Sequence, residues 1–220
     1  ASCLVGSEMC IKRQALMRDI YLRGYQLFAA KFLVVQKKML LGDEMGLGKT
    51  LQAISAAAHI SAGLQQRNKV ARILVVVPAS LLVNWEREIK KFSKLTTYVA
   101  HGASRHSASR AWNTAGGMLI TTYDSLKTLE LKAPDFVIVD EAHMVKNPAT
   151  QRTKAVVKQL SRAEYIMLMT GTPLENKLSE FAILMSYLKP SLARELSSET
   201  RPKQFKRKIA PYYPVSYTHL

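Results

Sequence analysis

Apolar residues in this chain gather in short unbroken runs instead of alternating with polar ones. Four stand out: "RILVVVP" (Arg72–Pro78), "GMLITTY" (Gly117–Tyr123), "DFVIVDE" (Asp135–Glu141) and "YIMLMTGTP" (Tyr165–Pro173). A fifth, "KKMLLG" (Lys37–Gly42), leads into a glycine-rich stretch. Each ends in small or polar residues, as expected for strands buried on both faces of a parallel sheet. Helical patterns fill the intervals. Thr50–Ala62 is Ala-rich and is expected to stop before Gly63. Ser80 is placed to cap "LLVNWEREIKKF", in which Leu81, Trp85, Ile89 and Phe92 share one face. Asn147 and Pro148 offer a cap and a first-turn proline for "ATQRTKAVVKQL", and Leu178, Phe181, Met185 and Leu188 form a stripe before Pro190. Strand and helix alternating at this spacing predict an α/β fold with an open, mostly parallel sheet.

Composition narrows the class. A chain of 220 residues suits one α/β domain with a short extension, and 48% hydrophobic residues mark it as globular. Lys and Arg number 32 against 16 Asp and Glu, a net charge of +16. That excess points to a polyanionic partner, nucleic acid before an anionic membrane surface. Cys3 and Cys10 offer no disulfide framework and suggest a reducing compartment. No apolar run reaches the roughly 20 residues of a membrane span. The start, "ASCLVGSEMC", lacks an initiator Met and a secretory pattern, and reads as the interior of a longer protein. Residues 189–204 are polar and proline-interrupted, as expected of a connection leaving the domain.

The chemistry begins at "MLLGDEMGLGKT" (Met39–Thr50). A phosphate-binding loop requires Gly, four residues, then Gly-Lys-[Ser/Thr]. Here Asp43 stands at the first glycine position and Gly42 precedes it. The remainder fits: a strand enters, a helix start supplies N–H groups and a positive dipole end, and Gly46 and Gly48 allow close backbone approach. Lys49 would reach the β- and γ-phosphates and the Thr50 hydroxyl would hold Mg²⁺. Such a site needs a carboxylate at the end of another buried strand. "FVIVDEAH" supplies Asp140 for the metal and Glu141 to orient and deprotonate the attacking water. Acidic residues at a strand end are common alone; with the loop they form a pair.

Six segments together resemble a known family. "LRGYQ", "GDEMGLGKT", "LVVVPASLLVNWEREIKKF", "LITTYDSL", "VIVDEAHMVKN" and "MLMTGTPLEN" stand in the order and spacing of the sucrose-non-fermenting-type (Snf-like) ATPases of helicase superfamily two. That family spells its phosphate loop with Asp where other loops have glycine. The resemblance spans about residues 21–213 and implies a RecA-like P-loop NTPase lobe with helices on both faces of the sheet. It implies ATP and Mg²⁺ as cofactors, with Asp43, Glu44, Met45, Gly46, Leu47, Gly48, Lys49 and Thr50 around the phosphates. Gln26 is similar to the glutamine that reads the adenine edge, although Gly24 replaces the usual proline nearby. His143, Thr170 and Thr172 resemble residues that couple nucleotide state to DNA grip, and Pro78, Ser80, Thr121 and Thr122 resemble DNA-facing positions. Trp85 reads as core, and Lys90 and Lys91 as a solvated helix face.

The implied activity is that of a DNA-dependent ATPase, a translocase on double-stranded DNA that remodels or displaces bound proteins. An RNA helicase lobe and a non-catalytic nucleic-acid-binding module are the alternatives. The expected layout is a flank over 1–20, the ATPase lobe over 21–188 and the start of an inter-lobe connection over 189–213. A second RecA-like lobe, which in the family supplies catalytic arginines, is not encoded, so the chain alone is expected to be nearly inactive. Residues 214–220 depart from the resemblance and read as non-native, while Lys203, Lys206, Arg207 and Lys208 read as a solvated helix face, with DNA contact as the alternative. The implied partners are double-stranded DNA and a DNA-bound protein. The implied location is intracellular and DNA-associated: cytoplasm and nucleoid in a bacterium, nucleus in a eukaryote.

Overall fold

A computed structural model describes residues 16–18, 22–42, 46–171, 178–191 and 212–213. All five apolar runs form strands: β1 (Lys38–Leu41), β2 (Arg72–Val77), β4 (Gly117–Thr122), β5 (Phe136–Val139) and β6 (Tyr165–Met169). The patterning gave no sign of β3 (Thr97–Ala100), an edge strand mostly half-buried and therefore without a continuous apolar run. The order across the sheet is β1-β6-β5-β2-β4-β3, and every neighbouring pair is parallel.

Helices cover both faces, as the resemblance implied. On one face α1 (Gly24–Gln36), α2 (Lys49–Gln65) and α3 (Leu82–Phe92) bury Leu33, Ile54, Trp85 and Ile89 against Leu41, Val75, Ile138 and Met169. On the other, α4 (Arg105–Ala115), the single turn α5 (Tyr123–Leu126), α6 (Gln151–Leu160) and α7 (Leu178–Leu188) bury Trp112, Tyr123, Val156 and Phe181 against Leu40, Val76, Val139 and Leu168. Successive strand residues thus serve opposite cores, which is why the runs are apolar throughout.

Three boundaries differ from expectation. The helix after the loop runs through Gly63 to Gln65. Glycine there costs about 1 kcal/mol, and Leu64 packing on the core continues the helix past it. Ser80 does not cap α3; it is exposed within a 3-10 turn, Ala79–Leu81, started by the extended Pro78. Asn147 accepts from the Ala149 N–H at 3.0 Å and builds a turn, leaving Thr150 to cap α6 by accepting from the Thr153 N–H at 3.3 Å. The polar helix α4 escaped notice because little of it is buried.

The far end of the expected connection returns to the lobe. The Leu40 N–H donates to the Tyr212 carbonyl at 2.7 Å, and the Tyr213 ring packs edge-on against Phe181. Residues 1–15 and 214–220, including both cysteines, and the basic cluster at 203–208 lie outside the described residues. Among the described residues, no helix is long and apolar enough to cross a membrane.

Candidate active site

Parallel strands deliver their carboxyl ends to one edge of the sheet, where open α/β folds gather their ligands. β1 and β5 both end there, separated only by β6. Two strand spacings, about 10 Å, therefore divide the glycine loop from the acidic pair.

On the phosphate side, Asp43, Glu44 and Met45 lie outside the described residues. Gly46 and Gly48 adopt left-handed φ values of 90° and 69°. At Gly48 the positive φ favours glycine, and a Cβ there would stand 2.6 Å from Gln26 Nε2 and displace that side-chain end. The carbonyl of Leu47 accepts from Gln52 Nε2 at 3.3 Å and from Gln26 Nε2 at 3.5 Å. Lys49 and Thr50 open α2, whose first turn faces the loop with its dipole positive.

Two findings here were not legible in the sequence. Gln52, buried on an Ala-rich helix, braces the loop, and no motif signals it. Gln26 is buried too, and its Oε1 accepts from the Arg23 N–H at 3.0 Å. Its amide bonds once to the start of α1 and once to the loop, which fixes its orientation and leaves one N–H and one lone pair for a further partner.

On the carboxylate side, Asp140 follows β5 and is buried. Its side chain shares a face with Ile138, toward α3. There Trp85 Nε1 donates to Asp140 Oδ2 at 2.8 Å, while the Glu141 N–H donates to Oδ1 at 2.9 Å. Burial pushes the Asp140 carboxyl above the usual carboxylate range; the Trp85 and Glu141 hydrogen bonds and the Lys49 charge act the other way. Lys49 opens the helix that follows β1, so the end of β6 lies between its element and Asp140. Thr170, fully buried, stands at that end, its N–H donating to the Leu41 carbonyl at 3.0 Å.

Glu141 takes a left-handed conformation, φ 52° and ψ 51°, uncommon for a residue with a side chain. The Tyr123 hydroxyl donates to the Asp140 carbonyl and lies 3.4 Å from that of Glu141. Burial, then the charges of Asp140 and Glu141, push the Tyr123 phenol well above its ordinary pKa, so it remains a donor. His143 Nδ1 lies 3.2 Å from Glu141 Oε2 without hydrogen-bond alignment.

Asp140 and Thr50, the two candidate ligands, would offer oxygen donors only, which suits Mg²⁺, an ion that keeps several waters and takes few protein ligands beside phosphate. Each Asp140 oxygen accepts a single described hydrogen bond, which leaves lone pairs for a cation.

The four DNA-facing candidates cluster but do not behave alike. Val77 and Thr122 are paired across β2 and β4, so Pro78 and Ser80 neighbour Thr121 and Thr122. Ser80 is exposed and Pro78 half-buried. The Thr121 hydroxyl is fully buried and donates to the Ala100 carbonyl at 2.9 Å. The Thr122 hydroxyl caps α5 and donates to Ser125 Oγ at 3.0 Å. Both threonine side chains serve the fold. Thr172 lies outside the described residues.

The family described as SNF2-related domain matches residues 25–213. Helicase swr1 of Emericella nidulans is 37% identical over 169 residues, 73% of this chain and 10% of that protein. ATP-dependent helicase FUN30 of Saccharomyces cerevisiae is 35% identical over 198 residues, 82% of this chain and 17% of that protein. The Sulfolobus solfataricus SWI2/SNF2 ATPase core in complex with dsDNA aligns with a TM-score of 0.76 at 28% identity, over 93% of this chain and 46% of that one. The chain thus spans less than half of that core and a small part of the curated relatives.

Proposed function

The chain belongs to the SNF2-related domain family, and on that premise we propose that it is the ATP-binding first lobe of a DNA-dependent ATPase that translocates on double-stranded DNA and remodels or displaces proteins bound there. One observation carries the reading. The helix that opens with Lys49 follows the glycine loop after β1, and buried Asp140 follows β5, with only β6 between those strands, so both stand at the carboxyl edge of the sheet. A glycine loop with its lysine and a buried carboxylate at neighbouring strand ends is what a triphosphate and its cation require.

In this reading the loop backbone and the start of α2 cradle the phosphates. Lys49 neutralises charge on the β- and γ-phosphates. Thr50 and Asp140 hold Mg²⁺, which when bound offsets the charge developing on the transferred phosphoryl group. Glu141 orients a water and accepts its proton, with His143 beside it. Thr170, bonded to the end of β1, is placed to relay the state of the loop. The strand ends at Pro78–Ser80 and Thr121–Thr122 would meet the sugar–phosphate backbone, a positioning contact without base readout.

Residues 21–188 would be the lobe, 1–20 its flank, and 189–213 the route to a second RecA-like lobe bearing arginines. Without that lobe, this chain is expected to bind nucleotide weakly and turn it over negligibly. The protein would work where DNA is: the nucleus of a eukaryote, or the cytoplasm and nucleoid of a bacterium.

The test is hydrolysis by the full-length parent with duplex DNA, with RNA and with neither. Duplex DNA should stimulate most, and Lys49→Ala should remove the stimulated rate. Stimulation by RNA in preference to DNA, or an unaltered Lys49→Ala rate, would refute the reading.

A further inference from the structure

The acidic pair is gripped from both faces of the sheet. From the α3 side, the Trp85 indole donates to Asp140 Oδ2 at 2.8 Å. From the opposite core, the Tyr123 hydroxyl donates to the Asp140 carbonyl and reaches toward that of Glu141. Both aromatic side chains are among the largest fully buried ones of the protein, and each directs its single donor at this turn.

We propose that Trp85 and Tyr123 are positioning residues of the ATPase site, Trp85 holding the Asp140 carboxylate in the orientation that receives the metal and Tyr123 holding the left-handed turn that aims Glu141. The inference rests on the reading of this chain as an ATPase lobe. Neither aromatic residue touches substrate; both act through the carboxylates.

Geometry separates the two roles. Asp140 Oδ2 has one described protein donor, the indole, and Oδ1 has the Glu141 N–H. Removing the indole N–H frees one oxygen to rotate away from the position a cation would occupy. The partners that orient a metal ligand govern metal affinity by about 10–100-fold. Tyr123 makes no described contact with either carboxylate. It supports the backbone at the residue with φ 52°, where a non-glycine conformation must be held by its surroundings. Its loss should alter the aim of Glu141 more than the affinity for metal.

Trp112 supplies an internal control. It is as buried as Trp85, and its indole donates at 2.9 Å to the carbonyl of Gly117, at the opposite end of β4 from Tyr123. Trp112→Phe therefore removes the same atoms from a core without disturbing the acidic pair.

The experiment compares Trp85→Phe, Tyr123→Phe, Trp112→Phe and Lys49→Ala in the full-length parent. ADP affinity is measured calorimetrically with Mg²⁺ and with EDTA, and hydrolysis with duplex DNA. Trp85→Phe should reduce the Mg²⁺-dependent gain in ADP affinity by about tenfold or more, leaving the EDTA value unchanged. Tyr123→Phe should lower kcat at saturating Mg²⁺ and ATP by about tenfold, with KM within twofold, since orientation of the base is what it loses. Trp112→Phe should leave the magnesium gain and kcat within twofold of the parent. Tyr123→Phe deletes one oxygen and no packing volume, so it carries the test should Trp85→Phe not fold. An unaltered magnesium gain in folded Trp85→Phe together with unaltered kcat in Tyr123→Phe overturns the inference, as does an equal loss in Trp112→Phe. Lys49→Ala hydrolysing at the parental rate would instead remove the ATPase reading beneath it.

Discussion

The two sides of the candidate site are held by opposite physics. On the loop side, which the proposed function gives to phosphate, the chain offers two glycines in left-handed conformations, a helix start, and neutral amides of Gln26 and Gln52 clasping the Leu47 carbonyl. On the carboxylate side the chain keeps a negative charge of its own out of water, with Trp85 and the Glu141 N–H bonded to Asp140 and the Tyr123 hydroxyl bonded to its backbone. The first side depends on backbone shape and should fail when a Cβ is added. The second depends on donors to a buried anion and should fail when one of its two acceptor oxygens is replaced by a donor.

The sharpest break comes from Lys49→Ala and Asp140→Asn. Both should reduce DNA-stimulated hydrolysis by the parent at least about a hundredfold, the scale for loss of a transition-state charge contact. Their unliganded stabilities should diverge. Folding raises the Asp140 pKa, so the folded state holds that proton more tightly than the unfolded state does. Stability is then greatest at low pH and falls as pH rises through the shifted value. Asp140→Asn removes that slope, but its amide nitrogen must face the Trp85 indole or the Glu141 N–H, donor against donor, so its unliganded Tm should lie below the parental one with a flatter acid-side pH profile. An acid-side slope as steep as the parental one would show that burial is not what sets this side.

Next in size is Gly48→Ala. It forces an alanine to φ 69° and drives its Cβ to within 2.6 Å of Gln26 Nε2. The left-handed conformation alone costs about 1–2 kcal/mol, and displacing Gln26 loosens the loop. Nucleotide affinity should fall about tenfold, with the magnesium dependence of binding retained; calorimetry with and without Mg²⁺ checks both.

A smaller effect is expected of Gln52→Met, which preserves side-chain volume and removes one of two donors to Leu47. The lost hydrogen bond is worth about 0.5–1.5 kcal/mol, so ATP affinity should weaken several-fold with little change in kcat. The slightest effect concerns His59, whose pKa burial holds below the usual value. Its contribution is present above the unfolded pKa and is lost as pH falls through that value toward the depressed one. His59→Gln should flatten the acid limb of a Tm profile by a small amount and leave hydrolysis unchanged.

Legibility in the sequence followed the same division. The apolar runs named five of six strands because strands buried twice need apolar residues at every position. The sixth, Thr97–Ala100, is an edge strand and carries no such signal. Gly46, Gly48, Lys49, Thr50, Asp140 and Glu141 stand out in the sequence as candidates because phosphate and metal chemistry would demand those residue types at fixed local spacing. Gln52 and Tyr123 do not, since a glutamine on a helix or a tyrosine after a strand has no obligatory partner. Trp85 read correctly as core, yet its volume reveals nothing about where its one N–H points.

The linear order of residues determined on its own the α/β class, the two chemical motifs and the positive charge that suits a polyanion. Each depends on local periodicity or on composition. Only the tertiary structure decided that the ends of β1 and β5 flank β6, that Thr121 faces inward, and that indole and phenol close on one carboxylate turn from opposite cores. Those are contacts between residues distant along the chain, and strand order with helix placement, not spacing, brings them within bonding distance.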